Sequence, residues 1–279
     1  MSLSNRAILV NLRISQWTGR KLDKQATGKV ESEFATRGKV GNYTKKLLPG
    51  AKELDEVSRQ TSSMRNFFYE QTLPWFSDGS RILPSKNYLD FTSAFRKRKA
   101  DFDLAVQSFV DAYPRIQLEA SQSLGDLYNG NEYPDIAELA HLFHCDLNAM
   151  PLPDISDFRV EIGESERKAF IEKMRETESA AMRDCWERLH SVVKRATERL
   201  ADPKAVFRDS LLDNISEICQ LLPKLNVTDD PELEKARQAV EAVVNDVTPE
   251  ILREAPSTRQ TVADDLAEIA AKMSVFMGA

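Results

Sequence analysis

The chain has 279 residues, 42% hydrophobic and 29% charged, with only 10 glycines and a formal net charge of −6. That apolar content excludes wholesale disorder, and sparse glycine beside abundant charge excludes a turn-rich β architecture in favour of long solvated helices. Three widely spaced cysteines, Cys145, Cys185 and Cys219, exclude a disulfide framework and are expected to be reduced thiols.

Ile8, Val10, Leu12 and Ile14 alternate with Leu9, Asn11, Arg13 and Ser15, which predicts a strand over 6–17. A helix follows toward the end of 18–38, stopping at Gly38, and 38–50 reads as a loop. Leu54, Val57, Thr61, Met64, Phe68 and Thr72 step by three or four and predict a helix over 51–72, broken by Pro74, Gly79 and Pro84. Ser85 is the expected N-cap of a helix over about 86–112, where the RKRK run at 96–99 spreads charge over every face and Pro114 ends or kinks the element. A helix from Asp135 to His144 runs into one or two short strands passing Pro151 and Pro153.

From Glu164 to Ala201 neither proline nor glycine interrupts a helical pattern, and at about 1.5 Å per residue the helix would be roughly 55 Å long. Helices over 203–223, 231–246 and 257–277 follow, with Pro203 and Pro231 at helix starts. The expected fold is mainly α: long amphipathic helices in an antiparallel bundle over 163–279, after a small mixed α/β region over 1–162. No stretch of about 18 apolar residues occurs, and the N-terminal AILV is too short for a signal sequence, so the expectation is a cytoplasmic protein with no membrane partner.

The net charge conceals an asymmetry. Residues 1–52 hold eleven Lys and Arg against three acids, a balance of +8, which leaves −14 on the remainder. A basic segment on an acidic chain points to an anionic partner, because cations release counterions from phosphates and interleaved rings stack on bases. The candidate nucleic-acid-binding residues are Trp17, Arg20, Lys21, Lys24, Lys29, Arg37, Lys39, Tyr43, Lys45 and Lys46, with Phe34 a further ring. The alternatives are a cationic face that is solvated or that meets the acidic remainder of the same chain, and a core Trp17. Gly38 and Gly41 in GKVG match the G-x-x-G of KH loops, a spacing that arises often by chance.

Enzyme chemistry finds little support. His141, His144 and Cys145 are zinc ligand types close together, but no fourth ligand accompanies them, so a helix-to-strand junction is the simpler reading. No G-x-S-x-G elbow occurs, and TGKV at 27–30 lacks the frame of a phosphate-binding loop. Glu164 and Glu166, like Asp264 and Asp265, read as solvent-facing helix charges. No catalytic residue, metal or cofactor is expected.

The long helix over 164–201 must cover its apolar stripe along its whole length. Phe170, Met174, Cys185, Leu189 and Val192 form the candidate assembly face, for a protein partner or a second copy of the chain. The segments ILVNLRISQWTGRKLDK, FRKRKADFDLAVQSFVDAYP and FHCDLNAMPLPDISDFRV together resemble a family of bacteriophage and mobile-element proteins catalogued as a domain of unknown function. The resemblance implies a helical protein encoded near MoxR-type AAA ATPases and von Willebrand A-type proteins, in the host bacterial cytoplasm. It carries no catalytic residues. The expected function is non-enzymatic protein–protein assembly, with a nucleic-acid-binding accessory factor as the alternative.

Overall fold

A computed structural model describes residues 3–76, 79–153 and 163–277. Strands β1 (Ala7–Ser15) and β2 (Arg20–Leu22) precede helix α1 (Lys24–Glu33), then β3 (Thr44–Lys46) and α2 (Lys52–Gln71). The short strands β4 (Leu73–Pro74) and β5 (Arg81–Pro84) lead to α3 (Tyr88–Leu124), α4 (Ile136–Leu139) and β6 (His144–Pro151). Then come α5 (Glu164–Ala201), α6 (Ser210–Leu225), α7 (Pro231–Val244), α8 (Pro249–Glu254) and α9 (Pro256–Met277). The fold is mainly α, with long packed helices and a small antiparallel sheet in the N-terminal and central part of the chain. Among the described residues, no helix is long and apolar enough to cross a membrane.

Several boundaries differ from expectation. Pro114 does not stop α3: Tyr113, Ile116 and Ala120 keep the helix's buried stripe going, and that burial offsets the lost backbone hydrogen bond and the clash of the ring with the preceding turn. Within the expected loop, Thr44–Lys46 pairs with β2, and the break after α2 contains β4 and β5. α6 begins at Ser210 rather than near Pro203, and Arg259 donates to the Asp202 and Ala205 carbonyls of the segment before it. The second strand expected beyond Pro153 lies outside the described residues.

Contacts group the chain into two compact units: Met1–Asn11, Phe68–Phe91 and Asn148–Ala279 in one, Leu12–Phe67 and Thr92–Leu147 in the other. Residues 163–279 fall wholly in the first unit, whereas the basic segment 1–52 is divided after residue 11. The four-stranded sheet has the order β4-β5-β1-β6. Within the first unit β5 pairs antiparallel with β1, Leu9 opposite Ile82, and with β4, Leu73 opposite Ile82.

The core of the first unit is built on α5. Met174, Thr177, Ala181, Cys185, Leu189, Val193, Ala196 and Leu200 recur every three or four residues and are buried. α9 runs antiparallel beside them: Arg259 at its start donates to the Arg199 and Leu200 carbonyls, and Phe276 near its end stacks on Trp186 at 4.6 Å. The expected assembly face is therefore the inside of the chain's own bundle. Met174, Cys185 and Leu189 are buried there, and Phe170 and Val192 pack half-buried against the same core, so this stripe is not free for another chain.

Helix ends in this unit find donors on other elements. Arg188 of α5 donates to the Tyr69, Glu70 and Thr72 carbonyls at the end of α2, and Arg81 adds bonds to Tyr69 and Thr72. The last carbonyls of a helix lack intrahelical partners, and cations there also meet the negative end of the dipole.

In the second unit α2 and α3 lie antiparallel. Arg115 bonds Glu53 at 2.6 Å, and the Arg98 guanidinium stacks 4.1 Å over the Phe67 ring, which accommodates one charge of the RKRK run. Val57, Met64, Phe95, Phe102 and Phe109 form the core between them. All three cysteines of the chain are free and buried, and burial pushes the thiols of Cys145 and Cys219 up to about 11 and that of Cys185 up to about 12.

Leu189→Ala should lower unfolding free energy by about 2–5 kcal/mol, against about 1 kcal/mol for the half-buried Val192→Ala, in urea titrations. Sedimentation of folded Leu189→Ala should match that of the unsubstituted protein. Dissociation of an oligomer by this change would restore the assembly face.

Candidate nucleic-acid interface

The basic segment is organised by a three-residue antiparallel ladder. β2 and β3 pair antiparallel with Arg20 opposite Lys46, Lys21 opposite Lys45 and Leu22 opposite Thr44. Directly opposed residues share a face and successive residues alternate, so Lys21 and Lys45 project from one side and Arg20 and Lys46 from the other.

The Lys21–Lys45 face meets acids. The Lys45 ammonium, 4% exposed, lies 2.8 Å from carboxylate oxygens of both Asp23 and Glu132 and donates to the Leu127 carbonyl at 2.8 Å. Burial pulls its pKa down, but hydrogen bonds to Asp23 and Glu132 outweigh that effect and hold it above the ordinary value. Lys21 stands 4.0 Å from Glu132. Asp23 also caps α1 by accepting from the Ala26 N–H at 2.8 Å, and this bond, reinforced by Lys45, holds its carboxyl below the usual range. Tyr133 donates to the Leu47 carbonyl at 2.7 Å, and burial pushes its phenol up to about 12. Lys45 is thus a structural cation and not the surface contact its sequence setting suggests.

Arg20, Lys24, Lys29, Arg37, Lys39 and Lys46 are exposed, as is Tyr43. Of the eleven cations in 1–52, Arg6, Lys21 and Lys45 reach carboxylates; among the described residues no ion pair joins the other eight to an acid. Trp17 is half-buried, its ring 6.3 Å from Phe109 and 6.1 Å from Tyr113, which makes it a wall of the core.

Exposed apolar groups stand close to the free cations in sequence. Phe34, at the end of α1, is 73% exposed. Thr27 accepts from the Tyr43 N–H and the Tyr43 carbonyl accepts from the Asp23 N–H, so Tyr43 is tied to the start of α1. A hollow of about 270 Å³ between α1 and this segment is lined by Val30, Val40 and Tyr43. Sequence reading missed Val30 and Val40 because only the returning segment brings them together.

GKVG follows α1 and leads into β3, with Gly38 at φ +87°. The His141, His144 and Cys145 trio does not converge. His144 and Cys145 are successive residues of β6, the first exposed and the second buried with its Sγ 3.7 Å from the Met64 sulfur. Among the described residues, no group of three or more His, Cys, Asp and Glu side chains stands ready to hold a metal ion.

Lys45→Met leaves Asp23 and Glu132 facing each other without their cation and should cost roughly 3 kcal/mol in chemical denaturation. Asp23 has a lowered folded pKa, so its contribution is present above its ordinary value of 3.8 and is lost as pH falls through the folded value. Near-UV circular dichroism should therefore show an acid transition below about pH 4 that Asp23→Asn weakens.

No family model, no curated protein and no solved structure matches the chain.

Proposed function

We propose that the chain is a non-enzymatic binding protein whose basic segment holds single-stranded nucleic acid. The observation that carries this reading is the set of exposed, carboxylate-free cations beside the exposed rings of Phe34 and Tyr43. Cations supply sequence-independent attraction to phosphates, and exposed rings supply stacking surfaces for unpaired bases. Membership of the bacteriophage and mobile-element family and action in the host cytoplasm belong to the same proposal.

A second reading, protein–protein assembly, is favoured by the apolar groups themselves: Val40 is 65% and Val30 47% exposed beside Phe34, a patch suited to a protein partner. It replaces the α5 stripe as the surface for assembly.

Fluorescence anisotropy with single-stranded and duplex DNA and RNA, at low and moderate salt, separates the two. Single strands should bind more tightly than duplexes, and changing Lys24, Lys29 and Lys39 to Gln should reduce the slope of log affinity against log salt by about two units. Phe34→Ala should cost about 1–3 kcal/mol of binding. Absence of binding to every nucleic acid at low salt would sink the first reading and leave the second.

A further inference from the structure

The two faces of the β2–β3 ladder carry the same device with different outcomes. On one face the cross-strand pair Lys21–Lys45 is neutralised by Asp23 and Glu132. On the other, Arg20 and Lys46 stand directly opposite, a like-charged pair that repels unless an anion lies between or above it. Among the described residues neither forms an ion pair.

Both side chains line a cleft of about 420 Å³. Its remaining wall comes from the start of α2 and from the connection between β1 and β2. Asp55 is the one acid among the lining residues, so the two cations leave the lining with an excess of positive charge. α2 starts after Ala51, whose methyl side chain offers the first-turn N–H groups no acceptor, and these groups carry the positive end of the helix dipole. Gln16, a further lining residue, accepts the buried Thr61 hydroxyl at its Oε1 at 2.7 Å, and among the described residues its NH2, a neutral donor, makes no hydrogen bond. Gly19 keeps the wall close to α2. Its φ of +60° suits glycine, and a Cβ there would come within 2.9 Å of Leu54.

We propose that this cleft is a phosphate seat, with Arg20 and Lys46 as the paired cations and Gln16 and the first turn of α2 as neutral donors. Arg20 offers a fork matched to phosphate oxygens, and Lys46 a point charge from the opposite strand. The phosphate comes from a nucleic-acid backbone, from a strand terminus or from solution. Only the first two sources rest on the nucleic-acid reading.

Melting of the full chain, followed in sodium phosphate and in sodium chloride of equal ionic strength, tests the seat without any nucleic acid. Phosphate should raise the melting temperature of the unsubstituted protein and of Lys97→Gln, an exposed cation elsewhere. It should raise that of the Arg20→Gln, Lys46→Gln double variant less, by only the general stabilisation that an excluded anion gives any folded protein. In chloride the double variant should melt at or above the unsubstituted protein, because a repulsive pair has been removed; this shows that it folds. Equal phosphate stabilisation of the double variant, or none in the unsubstituted protein, would overturn the seat whatever nucleic acid does.

The sources separate in a second arm, with one oligonucleotide carrying a 5′-phosphate or a 5′-hydroxyl. Preference for the 5′-phosphate, lost in the double variant, assigns a strand terminus. Equal binding that inorganic phosphate displaces, weakened about tenfold or more in the double variant, assigns the backbone. Phosphate stabilisation without oligonucleotide binding leaves the seat standing and removes the function proposed above.

Discussion

A lysine ammonium taken out of water must be surrounded by acceptors, and Lys45 draws its own from separate stretches of chain. Asp23 comes from the N-cap of α1, the Leu127 carbonyl from the turn after α3, and Glu132 from the next turn. Satisfying that one cation fixes where α1 starts, how β3 lies against β2 and how the chain turns after α3. It also decides by strand alternation which cations remain: once Lys45 points inward, Arg20 and Lys46 must stand on the opposite side. The free charge of the surface is thus a product of the buried charge beneath it.

Length sets the corresponding demand on α5. A helix of 38 residues cannot bury its stripe against one short neighbour, and α9, α6 and α7 share the task. Its final carbonyls remain to be satisfied, and Arg259 from α9 supplies donors to them while α5 itself lends Arg188 to the end of α2. Packing and capping here use the same contacts. An arginine that closes the end of one helix also fixes its position against the next.

The periodicities of β1, α2 and α5 were readable because each runs long enough for a pattern to rise above chance. Other features had no such signal. Three charged or polar residues in a row, Thr44–Lys46, carry no β signature, and their strand exists through β2. Lys45 and Lys46 are adjacent and chemically identical; only the fold makes one an internal cation and the other a surface group. Glu132, the partner that distinguishes them, lies far along the chain. The stripe from Phe170 to Val192 was legible as apolar, but not what covers it, since an intramolecular and an intermolecular partner ask for the same pattern. The basic character of 1–52 was plain from composition, whereas the apolar hollow within it depends on Tyr43 being tied to the start of α1.

The cysteines give each unit its own internal marker. Cys145 lies in the unit of α2 and α3, Cys185 and Cys219 in the unit built on α5. With their thiols raised well above neutrality and enclosed by side chains, thiolate is scarce and reagents have no approach in the native state. Alkylation then proceeds only through transient opening, at a rate set by the population of the opened form. Each unit therefore carries a chemical clock of its own, so that its loosening is timed by its own thiols.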